Sequence, residues 1–187
     1  SEFSGEAGLK YFILGAFSSG LLLFGSSLIY GFTGLTNFEE LAKLLTGVGS
    51  LTDNISYIGI ITGITFVSVA LLFKVAAAPF HMWSPDVYEG APTPVTAFFS
   101  TVPKVAVFAL MLRFFFYTFF DFISFWQQIF IVSSLFSMII GSLAALYQKR
   151  IKRLMAYSGI ANVGYMLIGL ASGTIESMTG LLIFLII

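Results

Sequence analysis

The chain has 187 residues, 58% of them hydrophobic and only 10% charged, and its nine basic and nine acidic side chains balance to zero net charge. Such a composition lies outside the range of ordinary soluble domains and describes an integral membrane chain. The charge balance offers nothing to a nucleic acid, the absence of cysteine removes disulfides, iron–sulfur ligation and thiol catalysis, and a single histidine leaves no cluster for a metal or haem.

Ser1 to Lys10 carries neither a start methionine nor a positively charged leader ahead of a short apolar core, so the chain reads as a piece of something longer. Five apolar runs then approach or exceed the roughly 20 residues needed to cross a hydrocarbon layer about 30 Å thick. They cover about 9–32, 55–79, 95–117, 126–148 and 154–171, and a sixth begins near Ile175 and stops before it spans. Runs of this length without strict alternation mean helices, because lipid offers the backbone no other partner. The expected architecture is one all-α transmembrane domain over 1–187, a bundle of about five full helices plus the start of a sixth.

Between the first two spans, Asn37 can cap a short helix and Glu40 can reciprocate three residues later. Apolar residues at 38, 41, 44 and 45 share one face of this segment (about 37–46), which is expected to lie on the outer surface. The compact basic linker Lys149-Arg150-Ile151-Lys152-Arg153 faces the cytoplasm or matrix by the positive-inside rule. Counting back puts Ser1 and the 80–94 connection on that same inner side, with 33–54 and 118–125 outside. Tyr30, Tyr117 and Trp126 then fall near span boundaries, where aromatic belts and lipid-facing rings are both expected. The 22 phenylalanines fit either rings facing lipid or the AT-rich coding of an organellar genome.

The chemistry concentrates between Phe73 and Arg113. Lys74 and Lys104 each lie inside an apolar run, and a charged side chain at a bilayer centre costs at least ~2.5 kcal/mol on insertion scales, which marks it as a functional candidate. Pro79 follows Lys74 and Pro103 precedes Lys104, so each lysine stands near an expected helix irregularity of the kind that lines transporter ion sites. Their other reading is snorkelling to the inner surface or static ion pairing, a reading that also applies to Lys10 at the edge of the first span and to Arg113 near the outer end of the third. His81 is either a proton relay near neutral pH or a plain hydrogen-bonding residue. Asp86, Glu89 and Asp121 are expected to be solvated or interfacial.

The run Phe73-Lys74-Val75-Ala76-Ala77-Ala78-Pro79-Phe80-His81-Met82-Trp83-Ser84-Pro85-Asp86-Val87-Tyr88-Glu89-Gly90-Ala91-Pro92-Thr93-Pro94-Val95 resembles the antiporter-like proton-channel subunits of respiratory Complex I. A second signature of that family is similar to Ile151-Lys152-Arg153-Leu154-Met155-Ala156-Tyr157-Ser158 with Gly164-Tyr165, and the resemblance runs from Ser1 to Ile187. It implies an inverted-repeat fold with a discontinuous helix near Lys74–Pro79, and a proton path through Lys10, Lys74 and Lys104, with His81 as a further candidate. It implies no cofactor on this chain, since NADH, flavin, iron–sulfur clusters and ubiquinone belong to other subunits. Its implied partners are other membrane-arm subunits, a polypeptide supplying the preceding and following helices, and phospholipids, in the mitochondrial inner membrane or a bacterial plasma membrane.

Asn162 stands where the family often has histidine, and it cannot titrate. The glutamate that the family pairs with the Lys74 position lies on a helix before this chain begins. Two other readings follow: a subunit of a multisubunit sodium/proton antiporter, which shares the Pro-Phe-His-x-Trp and Pro-Thr-Pro-Val features, or a membrane scaffold that has lost pumping.

Overall fold

The computed structural model describes residues 2–46 and 55–186, and among these every regular element is a helix. A long helix α1 (Glu2–Thr33) is followed by the short α2 (Phe38–Leu45) and by α3 (Ile55–Lys74). After the helix interruption come α4 (Trp83–Gly90) and α5 (Thr93–Met111), then a π-helical stretch over Leu112–Thr118 and a 3₁₀ turn at Phe120–Phe122. The chain closes with α6 (Ile123–Leu146), α7 (Ile151–Ala171) and α8 (Ile175–Ile186). Five of these helical stretches are long and apolar enough to cross a membrane. The part of the expected outer connection over 47–54 lies outside the described residues.

Two helix seams organise the bundle, and both depend on residues small enough to let backbones touch. In the α1–α3 seam, a Cβ on Gly25 would lie 2.8 Å from the Gly63 carbonyl oxygen, and one on Gly63 would lie 3.0 Å from that of Gly25. Ser18 adds a hydrogen bond of 3.1 Å to the Ala70 carbonyl. In the α6–α7 seam, a Cβ on Gly141 would lie 2.6 Å from the Ala161 backbone nitrogen, and Ser134 donates to the Gly164 carbonyl at 2.6 Å.

Several expectations need correction. The second span ends at Lys74 instead of Pro79, because the backbone turns away at Ala76 (φ 60°), ahead of the proline. The third is not a uniform α-helix: its C-terminal end widens into the π-helical stretch that packs on α2. Trp126 belongs to no interfacial belt. It is fully buried, donates its indole N–H to the Phe119 carbonyl at 2.9 Å, and packs on Phe115 and Phe130. On α2, Asn37 caps through the Glu39 amide (2.9 Å), and Leu41 and Leu45 are buried while Leu44 is exposed. The Arg113 guanidinium lies over the Phe38 ring at 5.7 Å from the centroid, a contact the sequence reading did not anticipate.

The α6–α7 seam makes a simple prediction. Gly141→Ala forces a backbone contact that only a helix shift can relieve, at about 1–3 kcal/mol. The melting temperature of the purified membrane assembly should therefore fall, whereas Gly31→Ala, which meets nothing within 4 Å, should leave it unchanged. Equal melting temperatures for the two variants would show that the seam is not close-packed.

Candidate functional site

The end of α3 is a Schellman cap built without glycine. Ala76 N–H donates to the Phe73 carbonyl (3.2 Å) and Ala77 N–H to the Leu72 carbonyl (3.0 Å), with Ala76 in the left-handed region at φ 60°. Alanine there costs about 1–2 kcal/mol relative to a right-handed residue, and such strain concentrates at functional sites. The next residue, Ala78, leaves the helix altogether. Its N–H donates to Ser137 Oγ at 2.8 Å, and its carbonyl accepts from the Ser133 hydroxyl at 2.7 Å. Trp83 closes the interruption from the other side by donating its indole N–H to the Phe73 carbonyl at 3.0 Å.

Pro103 acts differently. Helix α5 continues through it, so the missing amide leaves the Phe99 carbonyl without its helical partner. The Tyr88 hydroxyl of α4 donates to that carbonyl at 3.3 Å, and the Tyr88 ring is itself buried. One turn is thereby bound to the α4 connection, and Lys104 is the next residue along. Lys104 lies eleven residues into α5, about 16 Å along the axis at 1.5 Å per residue, which is near the middle of the layer.

These two irregularities enclose a cavity of about 140 Å³ lined by Lys74, Lys104, Phe73, Trp83, Tyr88, Phe99 and Pro103, with Tyr11, Gly15 and Ser18 of α1 along one wall. A wider groove of about 530 Å³ lies beyond, bordered by Lys104, Tyr88, Gly159, Asn162 and Lys152. Lys104 and Tyr88 line both spaces and form the boundary between them. Lys104 Nζ donates to the Gly159 carbonyl at 3.3 Å, and a Cβ at position 159 would sit 2.9 Å from that nitrogen. Glycine thus supplies both the acceptor and the room. Among the described residues, neither Lys74 nor Lys104 has a carboxylate within ion-pair distance.

The structure does not bring the other candidates to this cavity. Lys10 lies at the end of the bundle that carries the basic linker, 2.7 Å from both Glu6 and Asp86. His81 is half-buried beyond Pro79 with Nδ1 lacking a hydrogen-bond partner among the described residues, and burial pushes its pKa below the usual imidazole value. Asn162 borders the wider groove. The sequence reading overlooked Tyr88, Ser133, Ser137 and Gly159. Tyr88 and Gly159 adjoin residues it singled out, but the serines of α6 carry no local signal.

Asp86 and Glu89 are not simply solvated either. Arg153 of α7 bridges Asp86 (2.7 Å) and Glu89 (3.1 Å), Arg150 pairs with Glu89, and Lys152 donates to the Ala91 carbonyl at 2.8 Å. Through Lys10 the network reaches α1, so the basic linker, the α4 connection and the start of the chain gather at one end of the bundle. The hydrogen bond from Lys10, with a further one from Arg153, holds the Asp86 carboxyl below its ordinary value of 3.8. A carboxylate with a lowered folded-state pKa stabilises the fold above the unfolded value and loses that contribution as pH falls through the folded one. Melting temperature should accordingly drop as pH is lowered below about 3.8, and Asp86→Asn should lower it at pH 7 while flattening the acid limb. An unchanged acid limb in Asp86→Asn would show that the pair adds nothing to stability.

A family model described as NADH:quinone oxidoreductase/Mrp antiporter, transmembrane, matches residues 1–187. The chain is 61% identical to the NADH-ubiquinone oxidoreductase chain 2 of Marchantia polymorpha over 98% of its own length and 37% of that protein. It therefore spans little more than a third of the curated relatives it matches. A chain of respiratory complex I from Thermus thermophilus superposes with a TM-score of 0.73 at 38% identity, covering 96% of this chain and 37% of that one. A chain of the Mrp complex from Dietzia sp. DQ12-45-1b gives 0.84 at 26% identity, covering 96% and 32%. Agreement of sequence and backbone over the whole of this chain means that it belongs to the NADH:quinone oxidoreductase/Mrp antiporter transmembrane family.

Proposed function

We propose that this chain forms part of a membrane-arm subunit of a proton-translocating NADH:quinone oxidoreductase, in the mitochondrial inner membrane or a bacterial plasma membrane, and that Lys74 and Lys104 carry protons between them. The observation that carries this reading is the cavity that both lysines line at the α3 interruption. Its volume of about 140 Å³ exceeds the roughly 10–15 Å³ that one water needs, so several waters can connect the two amines. An ammonium on Lys74 gives a proton to that water chain, and a neutral Lys104 takes one from it. The protonated Lys104 donates to the Gly159 carbonyl at the edge of the wider groove, from which the proton leaves.

The electrostatics of this arrangement favour transfer over storage. A lysine paired with a carboxylate holds its proton, as Lys10 does at the rim. Lys74 and Lys104 have no such partner among the described residues, so water in the cavity and charges brought by neighbouring segments act on them directly. In this reading quinone reduction elsewhere in the complex supplies that changing charge, and NADH, flavin, iron–sulfur clusters and ubiquinone are held by other subunits. Asn162 takes no proton, so the exit past it runs through water in the groove. Lys10 and His81 are flanking members, the one shaping the potential at the inner rim and the other following the interruption.

The likeness to the Mrp complex chain favours a second reading, a subunit of a multisubunit sodium/proton antiporter. The identities of 50–61% to proteins named as NADH-ubiquinone or NADH-quinone oxidoreductase subunits favour the first. A scaffold without pumping is the third.

Lys74→Ala and Lys104→Ala in the whole complex, reconstituted in vesicles, should each cut proton transfer through this path by about 100-fold or more, the scale of a lost acid–base group, with normal amounts of assembled complex. Proton uptake per NADH oxidised measures it. Unaltered uptake in both variants would leave the scaffold reading, and proton flux driven by an imposed sodium gradient without NADH would favour the antiporter.

A further inference from the structure

Helix α6 faces the interruption of α3 with a cluster of buried serines. Ser134 turns toward α7 and is used there. Ser133 and Ser137, one turn apart, lie on another face and both bond a single residue, Ala78. The Ser137 hydroxyl accepts the Ala78 N–H at 2.8 Å and donates its own proton to the Ser133 carbonyl at 2.7 Å. The Ser133 hydroxyl donates to the Ala78 carbonyl at 2.7 Å. A hydroxyl both donates and accepts, so the pair satisfies both backbone polar groups of a residue that has left its helix. In a bilayer those groups cannot be left without partners.

Ala78 is four residues beyond Lys74, and the cap between them permits little freedom. We propose that Ser133 and Ser137 are positioning residues for proton transfer: by fixing Ala78 to α6 they set the direction in which the chain leaves α3, and so keep the Lys74 ammonium on the cavity it shares with Lys104. This inference rests on the lysine path proposed above. It differs from a purely structural role in one respect. Serines that only stabilise the fold change how much complex assembles, whereas positioning serines change what each assembled complex transfers, since a displacement on the order of 1 Å can cost about 10²-fold in rate.

The test uses the whole complex in vesicles and proton uptake per NADH oxidised, normalised to assembled complex, in Ser137→Ala, Ser133→Ala and Ser137→Thr, with Lys74→Ala alongside. Ser133→Ala is the gentler variant, because the Ala78 N–H keeps its acceptor. Both alanine variants should lose proton uptake toward the level of Lys74→Ala, and Ser137→Thr, which keeps the hydroxyl, should recover it. Wild-type uptake in Ser133→Ala and Ser137→Ala, beside a loss in Lys74→Ala, overturns the positioning role while leaving the lysine path intact, even if less complex assembles. Wild-type uptake in Lys74→Ala refutes the lysine path itself and the serine role with it.

Discussion

A backbone that stops being helical inside a membrane must find new hydrogen-bond partners for each amide and carbonyl it frees. The rest of the structure depends on how α3 meets that requirement at Lys74. Its last turn closes on itself through the Ala76 cap, Trp83 returns to the Phe73 carbonyl, and two serines of α6 take both polar groups of Ala78. Pro103 creates the same demand in α5, and Tyr88 answers it at the Phe99 carbonyl. The partners of both irregularities come from the connection between α3 and α5 or from α6, so satisfying them draws these elements together. The space left between them is the cavity that holds two lysines.

Charge follows the same division between what is satisfied and what is left open. At the rim beside the basic linker, Lys10, Arg150 and Arg153 are matched by Glu6, Asp86 and Glu89, a balanced set that binds α1, α4 and α7. Exposed ion pairs contribute little each, but a network that crosses three elements fixes their relative placement. Deeper in, Lys104 has a carbonyl and, among the described residues, no carboxylate. A paired lysine resists change and an unpaired one responds to it, so the same residue type anchors at the rim and, in the reading proposed above, carries protons at the cavity.

Small residues set the distances over which all this works. Gly25 with Gly63, and Gly141 with Ala161, bring α1 to α3 and α6 to α7 at backbone contact. The close approach of α6 to α7 places the serines of one helix and Gly159 of the other within a single framework. Gly159 is the position where a side chain would intrude on Lys104 directly. Gly15, Ser18 and Gly20 of α1 are small as well. Of these Ser18 makes a buried contact with α3, whereas Gly15 faces the cavity and Gly20 open space.

The order of membrane helices, the basic linker and an irregularity near Lys74 could be read from the sequence because each depends on short-range properties: a run of apolar side chains, a cluster of like charges, a proline without an amide. The lysines stood out for a similar reason, a charge within an apolar run. Tertiary structure alone decided that α3 ends before Pro79, that Trp126 is core, that Asp86 and Glu89 are paired, and that Lys74 and Lys104 share one cavity from which Lys10 is absent. Each of these turns on which groups from distant parts of the chain meet. Ser133 and Ser137 are 55 and 59 residues from the alanine they bond, and a serine within an apolar helix looks the same in sequence whether it faces lipid, bonds its own helix or satisfies a broken one.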